Sequence, residues 1–266
     1  MISMTLFKKE WKSNWILLLI FMGVLTMYSV IIVSMFNPEA GDSLRAMAES
    51  MPEVFAAFGM LDVGTTLLEF VTGYLYGMLL IAFPAVYLII LSNRLVARYV
   101  DQGSMAYLLA TPVKRRKIVT TQAVFMITTL IILAIYVTAV IVAASQVMFP
   151  GELEIEEFLR VNVGVLGLWI MFAGLCFLPS CVFNESKMSL GCATAVVVYS
   201  ILIQMISQVG DKLENLKYAT PITLFNVDGL IAAEPEAYLT CGIMYAAGIV
   251  LMAAGAAWFN RKNLPI

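Results

Sequence analysis

Long uncharged stretches separated by short polar segments run through the whole chain. Six stretches lack Lys, Arg, Asp and Glu, at 13–38, 70–93, 118–151, 161–184, 188–210 and 237–260. Each exceeds the roughly 20 residues that a helix needs to cross a hydrocarbon core of about 30 Å. We therefore predict six membrane-spanning helices, at about 15–36, 71–92, 119–147, 161–183, 188–207 and 239–259.

The N-terminal residues carry a shorter apolar pattern. Met4, Phe7, Trp11 and Trp15 recur at helical spacing, and the neighbouring lysines fall off that stripe. The spacing predicts a short helix over 1–14 that lies in the membrane interface before the chain turns into the first span. A plain positively charged flank with interfacial tryptophans is the alternative interpretation.

Two segments between the spans have apolar residues at helical spacing but are too polar to cross a membrane, 43–60 and 208–238. The first contains MPEVFAAF, where Pro52 favours a break before it. The second reads YATPITLFNVDGLIAAEP, in which proline and glycine separate short apolar runs. We predict short extracellular helices in both, and expect 208–238 to cap the bundle or dip into the outer leaflet.

The composition excludes a soluble globular protein. Hydrophobic residues make up 61% of the 266 positions and charged residues 13%, with a mean hydropathy of +0.91. Globular domains have roughly half apolar and a quarter charged residues. A membrane β-barrel would need short alternating segments instead of long apolar runs. We therefore predict an all-α integral membrane protein in which residues 1–266 form a single transmembrane domain.

The cations are distributed unequally between the two sides of the predicted membrane. If the N-terminus is cytoplasmic, twelve of the sixteen Lys and Arg residues lie on the cytoplasmic side, and four lie outside: Arg45, Arg160, Lys212 and Lys217. This distribution matches the positive-inside rule. It predicts a multi-pass protein of the cell membrane, with both termini and the segment 93–118 cytoplasmic. The acidic residues of the outer loops are interpreted most simply as a solvated face.

Prolines and small residues in the spans bear on packing. Pro84 and Pro179 predict kinks, either as gating points or, more simply, as fixed features of packing. The last span has two pairs of small residues four positions apart, Gly242 with Ala246 and Ala253 with Ala257. This spacing permits close helix contact in lipid, which favours tight internal packing or, alternatively, a subunit interface.

The chain lacks the residues that most membrane enzymes and ion-coupled carriers need. It contains no histidine, its four cysteines all fall within predicted spans, and the spans contain no ionisable acid or base. A nucleotide-binding loop of the form GxxxxGK[ST] is also absent. These absences argue against catalysis, a metal site or a cofactor in this chain, and against transport driven by buried carboxylates. We expect membrane lipids as partners and no nucleic acid.

The longest cytoplasmic segment contains the sequence DQGSMAYLLATPVKRRKI, which begins at Asp101. Either Asp101 or Ser104 can cap a helix. Apolar side chains then share one face of that helix, those of Met105, Leu108 and Leu109. Pro112 ends it, because the residue before a proline avoids helical geometry. The segment therefore predicts a helix of about two turns whose apolar face has no partner within the loop.

Four consecutive cations follow this helix, Lys114, Arg115, Arg116 and Lys117. They stand where the third span enters the membrane, where such side chains can reach anionic lipid headgroups. They are predicted to anchor the span at the membrane interface. A helix lying on the membrane surface next to such an anchor would explain the loop without any protein partner.

The loop resembles the cytoplasmic loop of type-two ABC transporter permeases. In that family the loop often has the sequence Glu-x-x-Gly-Ser/Thr, followed by a Leu-Leu pair and then by Ser/Ala-x-Pro-Val/Ile-Ser-Arg. The matching residues are Gly103, Ser104, Leu108, Leu109, Ala110, Pro112, Val113 and Arg115. Asp101 stands near the usual acid, and Lys114 replaces the usual serine. The six spans, the MPEVFAAFG stretch and a TPITLFN stretch before the last span extend the likeness over nearly the full chain.

The resemblance implies a membrane permease that works with a separate ABC ATPase subunit. In that family the loop forms a coupling helix that docks in a cleft of the ATPase, which binds ATP and Mg²⁺. Two permeases, identical or different, combine with two ATPases to export a drug, peptide, ion or lipid-like substrate. The implied contact residues are Asp101, Gly103, Ser104, Met105, Leu108, Leu109 and Pro112. The alternative is a non-transporting membrane anchor or a regulatory or immunity component that docks a cytoplasmic partner.

Overall fold

The computed structural model describes residues 2–37, 50–57, 66–105, 114–209 and 211–262. All regular structure in these ranges is helical. The α-helices are α1 (Met4–Met35), α2 (Pro52–Ala57), α3 (Leu67–Asp101), α4 (Arg115–Met148), α5 (Ile155–Val182), α6 (Ser186–Ser207), α7 (Val227–Ile231) and α8 (Pro235–Arg261). Two 3₁₀ helices, Asp211–Ala219 and Pro221–Leu224, lie between α6 and α7. Helix α3 includes two π-helical stretches, Thr72–Leu79 and Asn93–Ala97.

Six helices of the described ranges are long and apolar enough to cross a membrane: α1, α3, α4, α5, α6 and α8. Each coincides with one of the uncharged runs, because an apolar run of this length can satisfy its backbone in lipid only as a helix. The predicted all-α class with six spans is confirmed. Short helices between α6 and α8 lie where the sequence places a segment that does not cross the membrane.

The helices extend beyond the predicted spans at their polar ends. Helix α1 runs without interruption from Met4 to Met35, so the predicted boundary near residue 14 is absent. No proline or glycine occurs between Met4 and Met22, and nothing else there ends a helix. At 32 residues, α1 is about 48 Å long and exceeds a hydrocarbon core of about 30 Å. Helix α3 likewise continues past residue 92 to Asp101.

Helix α5 is the central helix of the bundle. It is the most buried of the six long helices and packs against α3, α4, α6, α7 and α8. Its buried side chains are mostly large and apolar, among them Phe158, Trp169, Phe172 and Phe177. Helix α1 lies at the periphery, where it packs along α4 and also touches α3.

Glycines bring α5 and α8 into backbone contact. A Cβ atom on Gly248 would meet the Ile170 carbonyl oxygen and would lie 2.8 Å from the Met171 nitrogen. A Cβ atom on Gly174 would lie 2.6 Å from the Gly248 carbonyl oxygen. Gly255, one heptad beyond Gly248, faces the Leu178 backbone. Close approach through glycine lets helices gain packing energy in lipid, where the hydrophobic effect does not drive them together.

The small residues predicted to form this contact are different ones. Gly242, Ala246, Ala253 and Ala257 are exposed, and a Cβ atom on Gly242 would meet nothing within 4 Å. The internal contact uses Gly248 and Gly255, which are seven positions apart. The prediction of tight internal packing at these four positions is therefore wrong, whereas the alternative, a subunit interface, stays a prediction.

The proline in α3 is compensated by a side chain of α5. In an α-helix, the Leu80 carbonyl would accept a hydrogen bond from the N–H of residue 84, which is Pro84 and has none. The indole Nε1 of Trp169 donates to this carbonyl instead, at 2.6 Å. Trp169 is buried, so the bond lies inside the bundle. Such a partner is what makes a proline tolerable within a membrane helix.

A second polar contact joins three of the long helices. The Asn162 Oδ1 atom of α5 accepts hydrogen bonds from the Tyr76 hydroxyl of α3 at 2.9 Å and from the Thr138 hydroxyl of α4 at 2.8 Å. The Asn162 Nδ2 atom donates to the Phe158 carbonyl at 2.8 Å. Asn162 and Tyr76 are buried, so these bonds add directional constraints to the apolar packing.

The glycine contact leads to a first prediction. Replacing Gly248 by Leu should force α5 and α8 apart and lower the free energy of unfolding in detergent by about 3 kcal/mol. Gly242→Leu is the matched control, because it makes the same change in the same helix where space is open. Equal destabilisation by both substitutions, measured by denaturant titration, would contradict the glycine contact.

A double-mutant cycle tests the bond between Trp169 and the Leu80 carbonyl. Trp169→Phe should destabilise the protein partly by leaving that carbonyl unpaired. In a Pro84→Ala background, residue 84 supplies an N–H to the Leu80 carbonyl. Trp169→Phe should therefore lower the free energy of unfolding by less in that background. We expect a coupling energy of about 1 kcal/mol from thermal or denaturant unfolding of the four proteins. Strictly additive effects would show that the two residues are independent.

Candidate functional site

Several helix ends meet at one end of the bundle, which we call the loop end. It comprises the starts of α1 and α4, the end of α3, the α5–α6 turn and the end of α8. Side chains join these ends in pairs. The Tyr99 hydroxyl donates to the Glu10 carboxylate, and Asn93 and Ser186 are hydrogen-bonded to each other. Arg115 donates to the Lys262 carbonyl, and the Lys262 ammonium donates to the Phe183 carbonyl. The Ser3 backbone N–H donates to the Thr121 hydroxyl.

The first three predicted contact residues lie where α3 ends. Asp101 is its last residue and is exposed. The Gly103 backbone has a φ of 67°, a conformation that glycine adopts without the steric cost of a side chain. The Gly103 N–H donates to the Val100 carbonyl at 3.0 Å, as is common where glycine ends a helix. Helical backbone resumes at Ser104, whose Oγ donates to the Tyr99 carbonyl at 3.2 Å.

Met105 is buried within this chain, and its implied contact with an ATPase subunit stays a prediction. Its side chain is 2% exposed and belongs to the core cluster of this chain. It therefore fastens the start of the loop to the bundle instead of facing outward, because an apolar side chain this close to α3 can be buried against it. The remaining predicted contact residues, Leu108, Leu109 and Pro112, lie outside the described residues.

The four cations at the start of α4 do not share one environment. Lys114 and Arg116 are exposed, whereas Arg115 and Lys117 are half-buried. The Arg115 Nη1 atom donates to the Lys262 carbonyl at 3.2 Å, and so ties α4 to the end of α8. The predicted role of these residues as a membrane anchor stays a prediction for all four, and Arg115 has this structural contact in addition.

A buried carboxylate at the loop end was not predicted from the sequence. Glu10 is 1% exposed, and its Oε1 atom accepts a hydrogen bond from the Tyr99 hydroxyl at 2.9 Å. The Asn14 Nδ2 atom donates to the Glu10 Oε2 atom at 3.2 Å, one helical turn away. The sequence shows only a single acid among the lysines of KKEWK, which is typical of a solvated interfacial segment. Burial of Glu10 follows from the neighbouring helices.

Lys262 joins three helices at the loop end. Its Nζ atom donates to the Phe183 carbonyl at 3.0 Å, just beyond the end of α5, and lies 5.3 Å from the centre of the Phe259 ring. A cation near a helix C-terminus is favourable, because the last carbonyls lack partners in the helix. Burial lowers the pKa of the Lys262 ammonium from its ordinary value.

The α5–α6 turn is fixed to α3 by a reciprocal pair. The Asn93 Nδ2 atom donates to the Ser186 hydroxyl at 2.9 Å, and that hydroxyl donates back to the Asn93 Oδ1 atom at 3.0 Å. Asn93 opens the second π-helical stretch of α3. Short π-helical stretches occur frequently at functional sites, and this one lies within three turns of the loop.

A shallow pocket lies in the half of the bundle away from the loop end. It is formed between the first π-helical stretch of α3 and the last turns of α6, and Ala57 at the end of α2 and Ile222 in the second 3₁₀ helix complete it. Polar groups come from Gln204 and Gln208, and methionine side chains from Met78 and Met205. The pocket is otherwise apolar and has no charged residue in its lining.

In the described ranges, no group of His, Cys, Asp or Glu has the arrangement of a metal site. The cysteines are not joined by disulfides, and Cys176, Cys181 and Cys241 are buried. The side chains described at the loop end make hydrogen bonds to one another and to helix ends.

Comparison with known proteins agrees with the resemblance seen in the loop. A family model described as ABC-2 family transporter protein matches residues 4–264. No curated protein gives a significant match. The matched range includes all six long helices and the whole segment between α3 and α4. The chain therefore belongs to the ABC-2 type transporter permease family.

Proposed function

We propose that this protein is the permease subunit of an ATP-driven exporter, in which a separate ABC ATPase subunit binds Mg²⁺ and ATP and hydrolyses it. Family membership supports the general part of this proposal, namely a membrane subunit of an ABC transporter with an ATPase partner and a dimeric permease. The proposal adds that two permeases and two ATPases form the working unit, and that the substrate moves outward across the cell membrane.

The observation that carries the proposal is the anchoring of the loop between α3 and α4 at both of its ends. On the α3 side, Met105 is buried and Tyr99 is hydrogen-bonded to α1. On the α4 side, Arg115 is hydrogen-bonded to the end of α8. A partner that displaces this loop would therefore act on four long helices at once. Such a connection is needed if ATP-driven closure of the partner is to favour one arrangement of the bundle over another.

The charges at the loop end support its placement on the cytoplasmic side. Exposed cations surround it, among them Lys8, Lys12, Arg98, Lys114 and Arg116. Cations near span ends favour the cytoplasmic side of a membrane. In this orientation both termini are cytoplasmic, and the loop is accessible to a soluble ATPase. The exposed cations would also contact anionic lipid headgroups.

We further propose that the pocket between α3 and α6 contributes to the substrate pathway. Its lining of methionines, aliphatic side chains and two glutamine amides is amphiphilic, but its free volume is only about 10 Å³, so α3 and α6 would have to move apart before a drug, peptide or lipid-like molecule could pass. A bare ion would need charged or densely polar groups at this depth, and the lining has none.

The loop provides the test of the proposed function. Replacing both Leu108 and Leu109 by Asp should weaken the contact with the ATPase, because two carboxylates would have to be buried in an apolar cleft. We expect the amount of ATPase that co-purifies, or the substrate exported per ATP hydrolysed, to fall roughly tenfold or more. Pull-down and transport into inside-out vesicles measure the two quantities.

Val147→Asp is the control for this experiment. Val147 is 81% exposed near the end of α4, on the opposite side of the bundle from the loop end. It makes a similar apolar-to-acidic change away from the proposed contact. A non-transporting anchor would bind a partner without any export, in both the native protein and the control. Unchanged ATPase binding and export in the loop variant would refute coupling through this helix.

A further inference from the structure

The environment of Glu10 is unusual for a carboxylate in the first turns of a membrane helix. The side chain is almost fully buried, and its two oxygens accept hydrogen bonds from Tyr99 and Asn14. Within the part of the chain that the structure describes, no lysine or arginine forms an ion pair with it. The Lys9 ammonium lies over the Tyr99 ring, 5.1 Å from its centre, where it still attracts the Glu10 carboxylate without forming an ion pair.

Burying an acid without an ion pair is unfavourable for stability. The hydrogen bonds compensate only part of the loss of hydration, and an apolar side chain of similar volume would often be more stable. Met4, Trp11 and Trp15 are exposed on the other face of the same helix, so the sequence does not lack apolar side chains here. A role for Glu10 other than stability would account for this arrangement.

Tyr99 connects this carboxylate to the start of the loop. Its hydroxyl donates to Glu10, and its carbonyl accepts the hydrogen bond from Ser104. It therefore contacts α1 through its side chain and the loop through its backbone. Two residues later α3 ends at Asp101, and Met105 is buried in the bundle.

The start of α1 is in turn attached to α4. The Ser3 N–H donates to the Thr121 hydroxyl at 2.9 Å, and the rings of Phe7 and Trp11 make edge contacts with Phe125. The start of α1 therefore connects the surroundings of Glu10 to α4 through contacts that are separate from the covalent connection through the loop.

We propose that Glu10 and Tyr99 are positioning residues that make the first turns of α1 follow the loop when the ATPase docks. This inference rests on the proposed function. The bond between the two side chains transmits the displacement of the loop to Met4–Asn14, and from there to α4. A carboxylate is a stronger hydrogen-bond acceptor than a neutral group, so the bond keeps the first turns of α1 and the end of α3 together during the motion.

Hydrogen–deuterium exchange of the full chain in lipid nanodiscs tests the inference. The probe is the ABC ATPase subunit that co-purifies with the chain, added with a non-hydrolysable ATP analogue. In the native protein, docking should change amide exchange both in the loop and in residues 4–14. In Glu10→Ala and Tyr99→Phe, the change in the loop should remain, and the change in residues 4–14 should shrink roughly tenfold.

Two matched variants separate positioning from simple structural support. Glu10→Gln keeps a hydrogen-bonding group at the same place and should restore much of the response that Glu10→Ala loses. Tyr136→Phe removes another tyrosine hydroxyl that is hydrogen-bonded to α1, in this case to Thr26 and far from the loop. This variant should leave the change in amide exchange of residues 4–14 intact. Tyr99→Phe retains the ring over which Lys9 lies, so it removes only the hydroxyl bond.

The outcomes distinguish this inference from the proposed function. If Glu10→Ala and Tyr99→Phe respond to the ATPase like the native protein, the positioning role is wrong and the permease function stands. An equal loss in Tyr136→Phe also overturns it, because any weakening of α1 would then suffice. If no ATPase co-purifies with the native chain, both proposals fail.

Discussion

The bundle depends on the contact of α5 with α8 through glycine. In lipid, apolar side chains gain little by leaving the solvent for a helix interface, so close packing must supply the attraction. Gly174 and Gly248 allow the two backbones to touch. This contact holds α8 against the central helix, and α5 is then left free on its other sides to pack against α3, α4 and α6.

Polar groups of α5 determine how those other helices are placed. Trp169 pairs with the carbonyl that Pro84 leaves open in α3, and Asn162 bonds to α3 and α4 together. An unpaired polar group in hydrocarbon is unfavourable, so these bonds favour one register of the helices over others that bury similar apolar area. The proline of α3 accordingly has a defined contact beside it, and its role as a gating point or a packing feature stays a prediction.

The loop end differs from the rest of the bundle in what holds it together. Hydrogen bonds between side chains, and from side chains to helix ends, add to the apolar packing there, and they involve Glu10, Tyr99, Arg115 and Lys262. Bonds of this kind can break and re-form at modest cost, whereas an interlocked glycine contact cannot shift without clashes. The structure thus combines a closely packed centre with an end suited to respond to a partner, which is consistent with the proposed role of the loop.

The sequence by itself determined the helical class, the six long helices and the family resemblance, because each depends on residues that are neighbours along the chain. An uncharged run has one stable backbone structure in lipid, and the motif around Gly103 and Pro112 is contiguous. Only the tertiary structure decided that Glu10 is buried, that Met105 faces inward and that Gly248 is the contact glycine in place of Gly242. These outcomes depend on which face of each helix meets another helix. In a membrane protein both faces are apolar, so hydrophobic periodicity does not distinguish the side that faces lipid from the side that faces protein.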